Sequence, residues 1–401
     1  MKNGWPTKRV GEIATIKPPK GEARERVAAD ALVSFLPMED LGVAIKHPQP
    51  KQTKKLSDVV GSYTYFGEGD VLLAKITPCF ENGKLGIAKG LKNGIGFGSS
   101  EFIVLRPGKS VSNEWLFHFL SRDDFRNEGA QRMGGAVGQQ RVPKEYVEAC
   151  EIPVPPLAEQ QRIVGVLDEA FAGLATAQAH AEKNVQNARA LFESHLQSVF
   201  THHGRGWVEK TLEEVSTTFG RGKSKHRPRN AAHLYGGKYP FIQTGDIRNA
   251  DHIITEYSQT YSDAGLAQSK LWPKGTICIT IAANIAETAI LGFDSCFPDS
   301  VIGVVANPKE ADVGFIEYLL QSFKARIQAM GQGAAQANIN MGTFENERFP
   351  FPPVAEQKPI VAKLDALATE TQRLESLYQQ KQAALAALKK SLLHQAFTGE
   401  F

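Results

Sequence analysis

The chain repeats its own layout about 200 residues apart, and this internal repeat constrains its fold more than any other feature. Residues 155–160 (PPLAEQ) return as residues 352–357 (PPVAEQ), an offset of 197 residues. The same offset holds at the end of each repeated segment, where Phe200 matches Phe397. A chain of the form A-B-A′-B′ is expected to fold into two similar halves related by a pseudo-twofold axis. Such a body suits a target that is itself twofold or split.

Composition excludes several classes of protein. A chain of 401 residues with 42% hydrophobic and 22% charged residues is ordinary for a globular protein of about two to four domains. It has no run of about 18 apolar residues, so we expect no membrane contact. The net charge is only +3, so charge for binding phosphates has to be concentrated locally. The four cysteines are scattered along the chain and have no histidines at metal-ligand spacing: Cys79, Cys150, Cys278 and Cys296. This pattern predicts a reduced, cytoplasmic protein without a metal site.

The repeat predicts four segments. Residues 1–155 and 203–352 mix short strand-like runs with helical stretches, separated by Gly, Pro and Asn, which predicts two mixed α/β domains of one fold. Residues 156–202 and 353–401 are each predicted to form one long helix. Inside the two domains we expect strands over 71–74, 102–105, 240–242, 276–281 and 301–305, and helices over 114–125 and 314–330.

Both helical segments carry an apolar stripe with heptad spacing. The second stripe runs through Ile360, Leu364, Leu367, Thr371, Leu374, Tyr378, Lys381, Leu385, Leu388 and Leu392. The first is richer in alanine and runs through Ile163, Leu167, Ala170, Leu174, Ala177, Ala181, Asn184, Ala188 and Leu191. A long helix with one apolar stripe needs a partner. The connection after residue 202 is too short for parallel packing, so we expect the two helices to pair antiparallel and to hold the domains apart.

The predicted fold is therefore α+β, with two mixed α/β domains joined by two long antiparallel coiled-coil helices and a pseudo-twofold internal repeat. Asn184 and Lys381 stand at the same step of the two stripes. They are either tolerated polar positions near solvent or helix-register residues, since a buried polar group penalises slipped pairings.

Several short motifs carry a family signature. They are the Pro-Pro-x-Ala-Glu-Gln start of each long helix, the C-terminal AFTGEF, and the motifs FLPMED (35–40), AKITP (74–78), FENGK (80–84), FIQTGDI (241–247) and GAAQANI (333–339). With the duplicated layout, they resemble the specificity subunit of type I restriction–modification systems over the whole chain. The resemblance implies two target-recognition domains, each of which reads one half of a split DNA sequence.

The resemblance also implies partners. These are double-stranded DNA, two methylation subunits that transfer a methyl group from S-adenosylmethionine to adenine N6, and two restriction subunits that translocate and cleave unmethylated DNA. No cofactor is expected in this chain, because S-adenosylmethionine, ATP and Mg²⁺ would belong to the partner subunits. The residues agree with a non-catalytic DNA-recognition subunit, since the chain has no Asn/Asp-Pro-Pro-aromatic motif, which an adenine methyltransferase would need to hold the target amine. Residues 222–224 (GKS) end like a phosphate-binding P-loop, but Thr217 stands where the first glycine is required.

The strongest electrostatic signal is a row of cations at every second residue. In an extended backbone such residues all face one side and can follow a line of phosphates. A solvated loop is the alternative. We refer to these residues as the basic row: Arg221, Lys223, Lys225, Arg227 and Arg229.

Each domain also contains a glycine-rich segment with amide side chains, at residues 132–141 and 331–340. Glycines allow close approach to a DNA groove, and Gln, Asn and Arg side chains bond adenine and guanine edges. A polar hairpin that caps the domain is the alternative. The candidates are Arg132, Gln139, Gln140 and Arg141 in the first segment and Gln336, Asn338 and Asn340 in the second. Further candidates, which equally suit turns or strand ends, are Lys75, Thr77, Asn82, Lys84, Thr244, Asp246 and Asn284.

The two domains differ at nearly all these positions, so the predicted DNA target is asymmetric. Two other interpretations remain open. The chain is also compatible with a recognition subunit of a different methyltransferase or of a fused type II nuclease. A coiled-coil scaffold that ignores DNA fits the helices, but it leaves the basic row and the twin glycine-rich segments unexplained.

Overall fold

The computed structural model describes residues 4–43, 45–202, 204, 206–226, 228–282, 285–331, 339, 341–345 and 347–401. The chain divides into two compact units, Met1–Glu182 with Gln380–Phe401 and Lys183–Gln379. Each unit combines one mixed α/β domain with parts of both long helices. The domain boundaries expected from the sequence stay a prediction, because the units divide within the long helices.

Ten strands are formed by the described residues of the first unit, and the first long helix starts in this unit. Its strands are β1 (Thr7–Arg9), β2 (Ala14–Ile16), β3 (Leu32–Leu36), β4 (Gln52–Lys55), β5 (Thr64–Gly67), β6 (Val71–Ala74), β7 (Leu85–Ile87), β8 (Ile95–Gly98), β9 (Phe102–Pro107) and β10 (Glu151–Pro153). Its helices are α1 (Val10–Ile13), α2 (Gly21–Arg26), α3 (Leu56–Val59), α4 (Asn113–Leu120), α5 (Asp123–Gln131), α6 (Lys144–Ala149) and α7 (Leu157–Thr201), with a 3₁₀ turn at Lys92–Gly94.

The second unit repeats this plan. Its strands are β11 (Val208–Lys210), β12 (Ser216–Arg221), β13 (Tyr235–Phe241), β14 (Ile253–Ile254), β15 (Gln259–Tyr261), β16 (Leu271–Trp272), β17 (Ile277–Thr280), β18 (Thr288–Leu291), β19 (Ser295–Cys296), β20 (Val301–Ala306) and β21 (Phe349–Phe351). Its helices are α8 (Thr244–Asn249), α9 (Asp263–Ala267), α10 (Val313–Gly331), α11 (Met341–Glu345) and α12 (Val354–Thr398), with a 3₁₀ turn at Ala232–Leu234.

The two units have the same strand order, which confirms the internal repeat. In the first unit the sheets are β2-β9-β6-β7 and β4-β3-β8-β5, with β1 paired to β10. In the second they are β12-β20-β17-β18-β14 and β15-β13-β19-β16, with β11 paired to β21. Within the described residues, the larger sheet of the second unit differs by the addition of β14 at one edge. The matched turns before β6 and β17 both need glycine, because Gly69 and Gly275 have φ angles of 82° and 85°.

One predicted helix is wrong in its extent. Instead of one helix over 114–125, the first unit has α4 and α5, separated at Ser121 and Arg122. The Ser121 hydroxyl donates a hydrogen bond to the carbonyl of His118 at 2.8 Å, and Arg122 has an extended backbone. The extended Arg122 therefore ends the helix, whereas α10 stays helical although its Ser322 makes the same bond to the Leu319 carbonyl. The matching helix α10 is continuous over 19 residues, close to its predicted span.

The two long helices are confirmed and run in opposite directions through each unit. In the first unit, the start of α7 packs in one core with the end of α12, through residues such as Leu167 and Phe397. In the second unit, the end of α7 packs with the start of α12, through Phe200 and Leu364. Each long helix is therefore anchored at both ends by burial in a domain core.

The apolar stripes follow the heptad prediction only in part. Lys381 is exposed and Asn184 is half-buried, so burial supports a register role for Asn184 alone. Leu191 and Leu388 are 53% and 47% exposed, against expectation. The buried positions near the helix ends are Leu196, Phe200, Leu393, Ala396 and Phe397. A straight helix repeats every 3.6 residues, so its buried face drifts away from a strict heptad, and here the ends face the domain cores. None of the described helices is long and apolar enough to cross a membrane.

Candidate nucleic-acid interface

The basic row is extended over residues 221–225, whereas Arg229 lies in a turn that the Ala231 N–H closes on the Pro228 carbonyl. Arg221, Lys223 and Lys225 are exposed, whereas the intervening Gly222 and Ser224 are buried. This alternation is typical of an extended segment lying on the protein with one face outward. Arg229 is also exposed, and Arg227 lies outside the described residues. At least three cations of the row therefore share one solvent-facing side.

Asp299 binds the first and the last residue of the basic row, Arg221 and Arg229. Asp299 accepts hydrogen bonds through its main-chain carbonyl from Arg221, whose Nε lies 2.7 Å away. Its carboxylate accepts bonds from Nη2 of Arg229 at 2.8 Å. Lys223 and Lys225 form no ion pair within the described part of the chain. These two ammonium groups are therefore the cations of the row with the most freedom to meet a phosphate.

In the first unit, the glycine-rich segment forms a narrow loop with a well-bonded base. Gly134 and Arg141 exchange two main-chain hydrogen bonds of 3.1 and 2.8 Å. The Thr77 N–H donates to the Gln140 carbonyl, and the Val142 N–H donates to the Lys75 carbonyl, both at 2.9 Å. The structure thus brings together candidates from two distant parts of the chain. Gln139 is exposed and Gln140 is half-buried.

Arg141 acts as a brace for this loop. Its Nη2 and Nε lie 2.8 and 3.0 Å from the two carboxylate oxygens of Glu101. Its Nη1 donates to the Gln139 carbonyl at 2.8 Å. The hydrogen bond from Arg141, together with the nearby charge of Lys75, lowers the pKa of Glu101. These contacts fix the Arg141 guanidinium at the base of the loop, and its base contact with DNA stays a prediction. Arg132 is exposed and pairs with Glu128.

Asn82 and Lys84 do not join the loop. The ammonium of Lys84 is half-buried and donates to the Met38 carbonyl at 2.8 Å, which is a structural contact. Asn82 lines a separate cavity of about 600 Å³ in the first unit, together with Arg126 and Phe171.

In the second unit, Thr244 and Asp246 belong to the first turn of α8. The Asp246 carboxylate accepts the Gln243 N–H at 2.8 Å and so caps the helix. This capping accounts for Asp246 without any DNA contact. The other candidates of this unit, Asn284, Gln336, Asn338 and Asn340, lie outside the described residues.

The structure explains why the repeated motif ends in glutamine. Gln160 and Gln357 are fully buried. The Gln160 side-chain oxygen accepts the Ser112 N–H at 2.9 Å, and its amide donates to the carbonyls of Ser110 and Pro155. Gln357 makes the same three kinds of bond in the second unit. Its side-chain oxygen accepts the Asp312 N–H at 2.7 Å, and its amide donates to the carbonyls of Glu310 and Pro352.

Ser112 and Asp312 are the residues that precede α4 and α10, and each caps its helix through its own side chain. Each glutamine therefore fastens the start of a long helix to the start of a domain helix. We call Gln160 and Gln357 the glutamine anchors. Their identical place in the repeat was a visible signal, although it did not show which groups they bind.

A second pair of contacts, the aspartate anchors Asp168 and Asp365, joins the same elements with different chemistry. In the first unit, Asp168 lies 2.9 Å from Nε2 of the buried His118 and pairs with Lys46. Burial alone would raise the pKa of Asp168, but hydrogen bonds from His118 and Lys46 outweigh it and hold the pKa at about 2. Burial lowers the pKa of His118 itself.

In the second unit, the Tyr318 hydroxyl donates to Asp365 at 2.7 Å. The His252 ring stacks on Tyr318 with centroids 4.7 Å apart, and its Nδ1 lies 2.7 Å from the buried carboxylate of Glu317. Burial would lower the pKa of His252, but the hydrogen bond and charge of Glu317 outweigh it, and the net shift is upward. Lys46 and His252 are matched, because their carbonyls accept the N–H groups of Ile87 and Ile290.

The sequence profile described as "Type I restriction modification DNA specificity domain" matches residues 2–184 and 204–383. The chain belongs to this family. It is 39% identical over 170 residues to the type I restriction enzyme EcoEI specificity subunit of Escherichia coli, and this alignment covers 42% of this chain and 28% of that protein. It is 34% identical over 222 residues to the EcoAI specificity subunit of Escherichia coli, and this alignment covers 55% of this chain and 36% of that protein. The chain thus spans about a third of the length of these two relatives.

Two solved structures have the same fold. A chain from a study of complex assembly and conformational transition of the type I R-M system superposes with a TM-score of 0.81, at 20% identity, and covers 98% of both chains. The HsdS subunit from Thermoanaerobacter tengcongensis superposes with a TM-score of 0.68, at 20% identity, and covers 100% of this chain and 98% of that one.

Proposed function

We propose that this chain is the non-catalytic DNA-recognition subunit of a type I restriction–modification complex. Each mixed α/β domain reads one half of a split, asymmetric DNA target. Two methylation subunits and two restriction subunits bind the chain and supply adenine-N6 methylation, cleavage, and the sites for S-adenosylmethionine, ATP and Mg²⁺.

One observation carries the proposal. The two units share their strand order and their buried glutamine anchors, yet they present unlike groups to solvent. At the ends of the matched strands β2 and β12, the first unit presents residues 17–20 (KPPK) and the second presents the cations of the basic row. A common frame with two different exposed surfaces is what reading two different half-sequences requires. Phosphate contacts from Lys223 and Lys225 would position the second unit, and base contacts would specify the sequence.

The test is base-resolved methylation sequencing of DNA from cells that co-express this chain with the methylation subunit encoded beside it. We expect N6-methyladenine at a single split, asymmetric motif that disappears when this chain is omitted. A Lys223→Ala/Lys225→Ala variant should keep the motif but bind DNA with a log-affinity versus log-salt slope smaller by about 2. The matched control, Lys358→Ala/Lys363→Ala, removes two exposed lysines of α12. The proposal fails if both proteins are soluble and associated but no motif is methylated.

A further inference from the structure

The most unusual apolar side chain of the molecule lies at the tip of the glycine-rich loop. Val137 is 99% exposed, whereas no other large apolar side chain among the described residues exceeds 53%. Burying an apolar side chain is favourable relative to leaving it in water. A binding partner that buries the fully exposed side chain of Val137 would therefore gain binding free energy from this contact.

The loop presents Val137 from a fixed base. Two main-chain bonds join Gly134 to Arg141, and Arg141 is braced by both oxygens of Glu101. Gly135 and Gly138 have φ angles of 124° and 79°, a region that glycine enters without strain, so they permit the tight reversal around Val137. The Gln139 N–H closes this turn by donating to the Ala136 carbonyl at 2.9 Å. The tip is therefore narrow, and its side chain points away from the domain core.

The surroundings of Val137 distinguish between a protein partner and DNA. A protein-docking surface is a contiguous apolar patch, but the neighbours of Val137 are glycines, Ala136 and the exposed amide of Gln139. Arg132 is exposed and pairs with the equally exposed Glu128, and Lys75 is half-buried and pairs with Glu101, so the charges near the loop are of both signs. An isolated small apolar group beside an exposed amide matches a base edge in the major groove, where thymine alone presents a methyl group.

We propose that Val137 is a specificity-determining residue of the first unit and packs against the C5-methyl group of a thymine in the major groove. Gln139, on the same tip, is placed to bond a neighbouring base pair. This inference rests on the proposed function and names one of the bases that the first unit reads. Valine suits this role because its two methyl groups fill the space beside a single thymine methyl without unstacking the bases.

The experiment uses the full-length chain with its methylation subunit. Bound duplexes are first selected from a random pool, which gives the target. Affinity is then measured for the selected duplex and for copies in which each thymine in turn is replaced by deoxyuridine, which lacks only the methyl group. We expect one replacement in the first half-site to weaken binding about fourfold. In Val137→Ala the same replacement should have no effect, whereas Val137→Thr, which keeps one methyl group, should retain part of it.

The control variant is Val43→Ala, which truncates a valine that is 52% exposed elsewhere in the first unit. It should show the same deoxyuridine profile as the unmodified protein. The inference is overturned if no thymine of the first half-site is sensitive, or if Val137→Ala keeps the sensitivity; a selected motif would still leave the proposed function standing. If no motif emerges from the random pool, the proposed function itself fails.

Discussion

The glutamine anchors and the exposed loops are two regions of the molecule with opposite behaviour across the repeat. Gln160 and Gln357 bind the same three kinds of main-chain group in the two units. The exposed segments at the ends of the matched strands β2 and β12 differ in both sequence and contacts. Residues 17–20 (KPPK) follow β2, where Lys20 donates to the Val60 carbonyl, whereas the basic row begins at the end of β12, where Arg221 donates to the Asp299 carbonyl. Buried polar groups have to be satisfied, so the anchors have little freedom to differ. The exposed groups contact solvent, so they are free to differ and to carry separate specificities.

The aspartate anchors lie between these two extremes. Asp168 and Asp365 occupy the same place in the repeat, but one is bonded to histidine and lysine and the other to tyrosine. The contact between a long helix and its domain therefore uses a carboxylate at this point, while different hydrogen-bond donors can bind that carboxylate. The change of donor alters the electrostatics of the two units.

The largest effect is expected from removing a glutamine anchor. Gln160→Met and Gln357→Met keep the side-chain length but leave one buried N–H and two carbonyls without their partner. Each substitution should lower the free energy of unfolding of its own unit by about 2–4 kcal/mol. The measurement is a urea titration followed by hydrogen exchange of peptides from each unit. Gln161→Met and Gln379→Met, at exposed positions, are the controls. Equal stability of the anchor and control variants would contradict the anchoring role.

Much of the fold could be predicted from the sequence because the repeat doubles each signal. The matched glutamines and Gly69 and Gly275 mark equivalent places without any structure. The separation of α4 from α5 could not be predicted, because the bond that the Ser121 hydroxyl makes before the break is also made by Ser322 inside the continuous α10. The exposure of Leu191 and Leu388 was also missed, since the heptad pattern does not show where a long helix leaves its partner for a domain core.

The candidate site was less predictable than the fold. The alternation of the basic row predicted an extended backbone correctly for residues 221–225, because a period of two residues is a direct property of strands, but not for Arg229, which lies in a turn. The bracing of Arg141 and the capping by Asp246 depend on Glu101 and Gln243, and the sequence does not show that either lies within hydrogen-bond distance. Val137 was overlooked because an apolar residue in a sequence is normally assigned to a core.

An intermediate effect is expected at the basic row. A Cβ atom at Gly222 would lie 2.3 Å from the Phe297 carbonyl oxygen and 2.4 Å from that of Pro298, whereas one at Gly220 would meet nothing within 4 Å. Gly222→Ala should therefore destabilise the second unit by about 1–3 kcal/mol and weaken DNA binding by displacing Lys223. Gly220→Ala is the matched control and should change neither by a measurable amount. The first unit should be unaffected in both variants, as hydrogen exchange of its peptides would show. If Gly222→Ala behaves like Gly220→Ala, the row does not depend on this close packing.

The smallest effect is a difference in how the two units respond to pH. His118 faces Asp168, Lys46 and Glu114, and burial lowers its pKa. Its contribution to stability is therefore complete above the unfolded-state pKa of about 6.5 and is lost as pH falls through its folded-state pKa. His252 faces Glu317, Asp365 and Asp251, and its net pKa shift is upward. Its contribution is complete below about 6.5 and is lost as pH rises through its folded-state pKa.

Acidification from about pH 8 to about pH 5.5, a range that spans the histidine pKa, should therefore weaken the first unit relative to the second. Urea midpoints of the two units at each pH, read by pulsed hydrogen exchange at one fixed labelling pH, give this difference directly from a single sample. His118→Gln should remove the loss in the first unit, and His252→Gln should remove the gain in the second. Because both units experience the same solution, effects of acid on the whole chain cancel in the comparison. Parallel changes in the two midpoints, unaltered by either substitution, would show that the two aspartate anchors are electrostatically equivalent despite their different donors.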